Sequence, residues 1–133
     1  GETERDHEQL LEFLAAAELD WAGFFPFSRE DGTPAAEMDG VVPDELMQER
    51  LRECAEVQDP ITQAARDALV GTDLDVLIDR ADDETGEPVG RSHREAPEID
   101  GVVRVAGAFA RPGARVRARV TEACGPDLVA EPA

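Results

Sequence analysis

The hydrophobic pattern of this 133-residue chain changes period near residue 70, and this change constrains the fold more than any other feature. Upstream, apolar side chains recur every three or four residues, which is typical of amphipathic helices. Downstream they alternate with polar ones, so that Leu74, Val76 and Ile78 share one face of a strand and aspartates take the other. We therefore predict an α+β chain with two domains, residues 1–69 and residues 70–133.

The N-terminal domain begins with the pattern of a capped helix. Thr3 and Asp6 have the spacing of a capping box, in which a hydroxyl and a carboxylate bind the free N–H groups of the first turn. His7 shares a face with the apolar residues that follow, so we expect a packed side chain rather than a ligand. The aromatic segment Trp21–Phe27 predicts a short strand, and residues 28–36 predict a loop.

A second helix is predicted from Pro43 onward, because proline and acidic residues favour a first helical turn. A seam with alternating spacings of four and three follows, formed by Met47, Leu51, Cys54, Gln58, Ile61, Ala65 and Ala68. Pro60 interrupts it, since proline supplies no helical N–H. We expect a kink, or a restart capped by Asp59. A free coiled coil is the alternative, although two broken heptads are short for one.

Five short runs after residue 70 have the character of strands separated by turns. They are residues 74–79, 89–92, 101–105, 114–123 and 128–130. Five strands in about 65 residues predict a small antiparallel barrel that closes its own edges.

The net charge of −18 arises from 31 acidic residues against 13 basic ones, all of them arginine. Such a field repels phosphate, so binding to nucleic acid and anionic membranes is disfavoured and a basic protein partner is favoured. No stretch approaches the roughly 20 apolar residues of a membrane span, and the acidic start is unlike a signal peptide. We expect a cytoplasmic protein.

Three arginines spaced by two, Arg115, Arg117 and Arg119, would share one face of a strand. They form a phosphate-binding stripe in one interpretation, and pair with Asp73 and Asp75 across the sheet in the other. Residues 67–133 carry 14 acids and 8 arginines. This acidic balance favours the pairing.

Catalytic motifs are absent from the sequence, which contains no phosphate loop, no HExxH pattern and no ordered Ser/His/Asp set. The two cysteines, Cys54 and Cys124, fit no metal spacing and are expected to be free thiols.

A more specific signal is the segment Gly90–Gly101, with sequence GRSHREAPEIDG. It resembles a signature of the C-terminal TRAM domain in the RimO family, radical-SAM enzymes that methylthiolate an aspartate of a small-subunit ribosomal protein. Residues 28–36 resemble a loop of that family's radical-SAM barrel, and Gly1–Glu4 resembles the end of another. The resemblance implies that residues 1–69 are the helical and βα remnant of a TIM-like radical-SAM barrel, followed by an OB-like TRAM barrel.

By resemblance, the full-length enzyme uses S-adenosylmethionine and two iron–sulphur clusters. None is expected in this chain, because two cysteines cannot supply the cluster thiolates, and the chain alone should be inactive. The residues expected on the active-site rim, as neighbours of the cofactor, are Glu2, Thr3, Ser28, Gly32 and Thr33. Those expected to dock the substrate are Asp82, Asp83, Glu84, Arg91, Ser92, Glu98 and Asp100.

The resemblance and the charge together predict a basic small-subunit ribosomal protein as partner, bound by a monomer through the TRAM domain. Related tRNA methylthiotransferases carry a similar domain. The alternative is therefore a fragment of such an enzyme, or a noncatalytic RNA-binding TRAM module that uses the three arginines.

Overall fold

Two helices precede five strands in the computed structural model, which describes all residues from 1 to 133. The chain divides into two compact units, residues 1–63 and residues 64–133. The proposed domain boundary between residues 69 and 70 lies a few residues after the junction of these units.

Helix α1, Glu4–Ala17, begins at the predicted capping box. The backbone N–H of Asp6 donates to Thr3 Oγ1 at 3.3 Å, and the Thr3 N–H donates to Asp6 Oδ2 at 2.8 Å. His7 is buried, as predicted, and its Nε2 lies 2.6 Å from Glu53 Oε2. The cap and this contact fix the start of the helix.

The predicted strand at Trp21–Phe27 is wrong, since residues 18–33 contain no regular element. A strand is stabilised by hydrogen bonds to a neighbouring strand, and residues 1–63 hold only helical elements. The predicted loop that follows is present, and it ends in a single 3-10 turn, Pro34–Glu37.

Helix α2, Asp44–Asp67, continues through Pro60, so the predicted restart at Asp59 is wrong. Proline removes one helical N–H donor, and the adjoining turns are held by other contacts. Gln58 is buried, and its Nε2 donates to the Leu19 carbonyl at 2.7 Å and to Thr62 Oγ1 at 3.0 Å. This bonding fixes the helix immediately before the proline.

The C-terminal unit is a closed barrel with strand order β1-β2-β3-β5-β4. Its strands are β1 (Asp73–Ala81), β2 (Pro88–Arg91), β3 (Val103–Val105), β4 (Arg115–Cys124) and β5 (Asp127–Pro132). Four pairings are antiparallel, but β3 and β5 run parallel, which corrects the purely antiparallel prediction. The reason is parity, because directions cannot alternate all the way around a ring with an odd number of strands.

The barrel interior is apolar and built from alternate strand residues. Its buried members are Leu74, Val76, Ile78, Val103, Val105, Ala118, Val120, Leu128 and Ala130. Two signature glycines allow close backbone contacts around this core. A Cβ at Gly90 would collide with the Leu77 carbonyl, and one at Gly101 with the Pro126 carbonyl. These positions therefore require glycine for steric reasons.

Candidate docking surface

The strand directions place the barrel's connections at two opposite ends. The turn between β1 and β2 and the loop from Ala106 to Ala114 lie at one end, here called the Asp82 end. The signature loop between β2 and β3 and the β4–β5 turn lie at the other, here called the Glu95 end. Most of the predicted docking residues lie at these two ends.

A buried ion pair organises the Glu95 end. Arg66 Nη1 donates to Glu95 Oε1 at 2.8 Å, and the two residues are 1% and 5% exposed. The other carboxylate oxygen, Oε2, accepts from the Ser92 N–H at 2.8 Å and from the Ser92 hydroxyl at 2.6 Å. Arg66 also donates to the Pro126 carbonyl. One carboxylate thus connects α2, the signature loop and, through Arg66, the β4–β5 turn.

These bonds determine the protonation of Glu95. Burial by itself raises the pKa of a carboxyl group, because it disfavours the charged form. Here the two Ser92 bonds and the Arg66 guanidinium outweigh burial, and the pKa of Glu95 falls below its ordinary value. Glu95 therefore acts as a fixed anion within the barrel.

Further contacts shape the signature loop. Asp100 Oδ2 accepts from the Ala96 N–H at 2.8 Å and closes the turn. Glu98 has a left-handed φ of 63° and is exposed. Arg91 pairs with Asp79 on β1. Among the predicted docking residues here, Glu98 is exposed, whereas the Ser92 hydroxyl is buried against Glu95.

At the Asp82 end, the carboxylate of Asp82 holds the turn between β1 and β2. Its Oδ1 accepts from the N–H groups of Thr85 and Glu84 at 3.0 and 3.1 Å. Its Oδ2 accepts from Arg104 Nη1 at 2.7 Å. The Thr85 N–H, with Arg104 and the Glu84 N–H, lowers the pKa of Asp82 far below its ordinary value. The next two acids, Asp83 and Glu84, extend into solvent.

The predicted pairing of the arginine stripe is confirmed for two of its three members. Arg119 Nε lies 2.8 Å from Asp73 Oδ1, and Arg117 Nη1 lies 3.3 Å from Asp75 Oδ1. The Arg119 bond lowers the pKa of Asp73. A phosphate at this face would compete with carboxylates already in place.

The residues predicted for an active-site rim are dispersed in the N-terminal unit. Glu2 lines an apolar cavity of about 600 Å³, whose walls include Phe24, Phe25, Met38, Val42, Met47 and Leu51. Thr3 caps α1, and Thr33 Oγ1 accepts from the Ala36 N–H at the 3-10 turn. Ser28 donates to Glu30 at 2.8 Å, and Gly32 has a φ of 80°. Of the five residues predicted for the active-site rim, only Glu2 lines this cavity.

Arg50 is a buried charge that the sequence did not reveal. Its Nη1 lies 2.6 Å from Glu2 Oε1, and its Nη2 lies 3.2 Å from Glu4 Oε2. Burial lowers the pKa of an arginine, but the bonds to Glu4 and Glu2 outweigh it and raise the pKa of Arg50. The sequence offered one signal for this burial, which is that Arg50 lies between the apolar seam residues Met47 and Leu51 of α2.

The two cysteines do not fit an iron–sulphur cluster. Cys54 is a buried free thiol, and its burial raises its pKa. Cys124 is an exposed free thiol, and a hydrogen bond with Glu122 raises its pKa. No group of three or more histidine, cysteine or acidic side chains is placed to hold a metal ion. An iron–sulphur cluster needs several thiolates together, and this chain has two cysteines.

None of the helices combines the length and the apolar character needed to cross a membrane. Residues 70–132 match the TRAM domain family, so the barrel defines this chain as a TRAM-domain protein. Its sequence is 48% identical over 96% of its length to the ribosomal protein uS12 methylthiotransferase RimO of Desulforudis audaxviator. The RimO proteins of Thiobacillus denitrificans and Microcystis aeruginosa are 45% and 44% identical over 99% and 98% of it.

The chain spans about 30% of the length of these curated relatives, 28% in the first case and 30% in the other two. It belongs to the RimO family and represents the C-terminal, TRAM-bearing part of that family.

Proposed function

We propose that this chain is the substrate-recruiting part of a methylthiotransferase that modifies an aspartate of ribosomal protein uS12. The names of the relatives describe a methylthiotransferase of ribosomal protein uS12. The single observation that carries the docking role is the distribution of charge on the barrel. Arg117 and Arg119 are paired with Asp75 and Asp73, while acids at both ends remain exposed.

Ribosomal proteins are basic because they contact RNA, and an acidic surface raises their encounter rate and sets their orientation. RNA is the poorer partner. RNA binding requires unpaired cationic side chains, which neutralise phosphates and so release their condensed counterions. A phosphate that approached the stripe would have to displace Asp73 from Arg119. The alternatives of a tRNA methylthiotransferase fragment or an RNA-binding module are therefore disfavoured.

Within this proposal, the predicted docking residues take two roles. Asp83, Glu84 and Glu98 are exposed and contact the partner. The others position the turns that carry these acids, and they are Asp82, Arg91, Ser92 and Asp100.

We further propose that residues 1–69 belong to the end of a radical-SAM barrel, with Glu2, Thr3, Ser28, Gly32 and Thr33 near its active-site rim. Other segments of the full-length enzyme would hold S-adenosylmethionine and the two clusters. The complete protein would act in the cytoplasm, as a monomer. Its chemistry would insert sulphur at the aspartate β-carbon and then methylate that sulphur.

The test is a salt series of binding between this chain and recombinant uS12. Affinity should fall as the Debye length shortens below about 10 Å. The double variant Asp83→Lys/Glu84→Lys should lower the association rate several-fold more than it raises the dissociation rate, because exposed charges mainly steer encounter. Asp82 is left intact because it holds the turn.

Two controls accompany this test. Glu8→Lys changes an exposed acid on α1 and should leave the association rate close to that of the parent. Arg117→Gln/Arg119→Gln should also have little effect on uS12. Tight tRNA binding that these two arginine substitutions abolish would contradict the proposal and favour the RNA-binding module.

A further inference from the structure

The loop at the Asp82 end carries a side chain that the charge argument does not use. Phe109 is fully exposed, more so than any other large apolar residue of the chain. A single exposed phenylalanine on a mobile segment needs no special explanation, because isolated apolar side chains are common on protein surfaces. Here the adjoining backbone is held in place, so its exposure needs a structural explanation.

Both neighbours of Phe109 point inward. Ala108 and Ala110 are partly buried and pack against the barrel core. On one side of the loop the Ala106 N–H donates to the Ala130 carbonyl at 2.8 Å, and on the other the Gly113 N–H donates to the Ile78 carbonyl at 2.8 Å. The in-out-in alternation between these anchors directs the Phe109 ring away from the barrel.

The charges around this end identify the chemistry of a partner. β2 starts beside the end of β3, so the turn that carries Asp83 and Glu84 lies at the same barrel end as the loop that follows β3. Arg104, on β3, bonds directly to Asp82 in that turn. Asp83 and Glu84 are exposed and form no ion pair in the structure. An aromatic ring at the same barrel end as free carboxylates suits the guanidinium or ammonium of a basic polypeptide, by cation–π contact and ion pairing.

Stacking on a nucleobase is the other use of an exposed aromatic ring. Platforms of that kind lie in positively charged grooves that follow the phosphate backbone. The Asp82 end has more acids than bases, since Asp83, Glu84 and Glu87 lie in one turn against Arg80 at the end of β1 and Arg111 in the Phe109 loop. A basic protein partner fits this balance better than a nucleic acid does.

We infer that Phe109 is the apolar anchor of the docking surface and binds an arginine- or lysine-bearing segment of the partner protein beside Asp83 and Glu84. This inference rests on the proposed function and adds to it a specific contact and a specific end of the barrel. Buried aromatic anchors contribute most of the binding energy in many interfaces, surrounded by contacts of small effect. Phe109 should therefore govern the lifetime of the complex, and the acids its rate of formation.

The experiment measures association and dissociation of recombinant uS12 with the whole chain and with Phe109→Ala. The substitution should weaken binding about tenfold or more, mainly through faster dissociation. Phe13→Ala is the matched control, because Phe13 is an exposed phenylalanine on α1, outside the barrel and the predicted docking residues. It should change affinity less than twofold. Both variants should unfold at the temperature of the parent, since neither removes a buried side chain.

A direct reporter complements the affinities. Phe109→Trp in a Trp21→Phe background places the single indole at the loop tip, since the chain has one tryptophan. Its emission should shift to shorter wavelength when uS12 binds and remain unchanged with tRNA. This variant should retain most of the affinity, because it keeps an aromatic face.

The outcomes separate this inference from the proposed function. If uS12 binds, and the Asp83/Glu84 reversal slows its association while Phe109→Ala and Phe13→Ala bind equally, the anchor is wrong and acidic recruitment stands. If uS12 does not bind the parent chain, both are wrong. Loss of tRNA affinity in Phe109→Ala, with an emission shift on tRNA, would assign the ring to base stacking and overturn the inference.

Discussion

The two units of this chain bury different kinds of side chain. The barrel interior is apolar, with a single ion pair, Arg66 and Glu95, at one end. The buried positions of residues 1–63 are His7, Leu14, Arg50, Cys54 and Gln58, three of which are polar or charged. The same unit leaves Phe13, Phe25, Phe27 and Met38 exposed. The barrel therefore buries a continuous apolar core and leaves Val70, Ile99 and Phe109 exposed outside it, whereas the helical unit keeps more of its large apolar side chains in water.

Each unit also holds one buried arginine, and their partners differ. Arg66 faces Glu95, whose side chain is fully buried. Arg50 faces Glu2 and Glu4, whose side chains are 45% and 72% exposed. Loss of the first arginine would leave a buried anion, and loss of the second would leave two anions that water can solvate. Burial of the partner, rather than of the arginine, decides the energetic cost.

The largest expected effect follows from that difference. Arg66→Met should lower the free energy of unfolding of the barrel by about 3–5 kcal/mol, because it leaves Glu95 charged and buried. Arg50→Met should cost clearly less, since its partners become hydrated. Urea denaturation with hydrogen exchange resolved by residue measures both. Equal losses in the two variants would show that the exposure of the partner is immaterial.

A smaller effect is expected from backbone packing. Gly90→Ala places a Cβ against the Leu77 carbonyl and the Ile78 Cα, so β1 and β2 must separate. Overpacking of this kind costs about 1–3 kcal/mol. The matched control is Gly23→Ala, whose Cβ would lie 3.5 Å from the Phe25 ring in ordinary contact. It should change stability by less than about 0.5 kcal/mol. Thermal unfolding of both variants checks the contrast, and a stable Gly90→Ala protein would contradict it.

The smallest effect concerns pH. Because the folded pKa of Glu95 lies below its ordinary value of 4.5, its contribution to stability is present above pH 4.5 and is lost as pH falls through the folded pKa. Each unit of depression corresponds to about 1.4 kcal/mol. Barrel stability, followed by denaturation between pH 3 and pH 6, should fall toward acid. The fall should be shallower in Glu95→Gln, and parallel curves for the two proteins would exclude Glu95 as the source.

The elements with a strong local pattern could be predicted from sequence, and the long-range relations could not. The alternation around Val76 is a property of neighbouring residues, and β1 was found where it predicted a strand. Trp21–Phe27 has strand-like composition but no partner strand within its unit. The parallel pairing of β3 with β5 depends on how the barrel closes. A local stretch of sequence contains no information about that closure.

The candidate site follows the same division. Acidic turns were visible in the sequence, and so was the pairing of Arg117 and Arg119 with aspartates. Arg66 gave no signal, because its burial depends on Glu95, 29 positions away in the chain. Phe109 was unremarkable as one of five phenylalanines. Its significance depends on the inward packing of its two alanine neighbours.

The parallel contact between β3 and β5 also sets an order for folding. The β4–β5 pair is a hairpin with a short turn, and β1–β2 is another, so both can form early from local contacts. The other two long-range pairings close the ring. The β3–β5 contact joins residues 25 positions apart, such as Val103 and Leu128, and the β1–β4 contact joins residues up to 46 positions apart, such as Asp73 and Arg119. Loop closure over these separations delays both contacts. Ring closure should therefore be the late step, and truncation of Val103 should accelerate unfolding while leaving the refolding rate nearly unchanged.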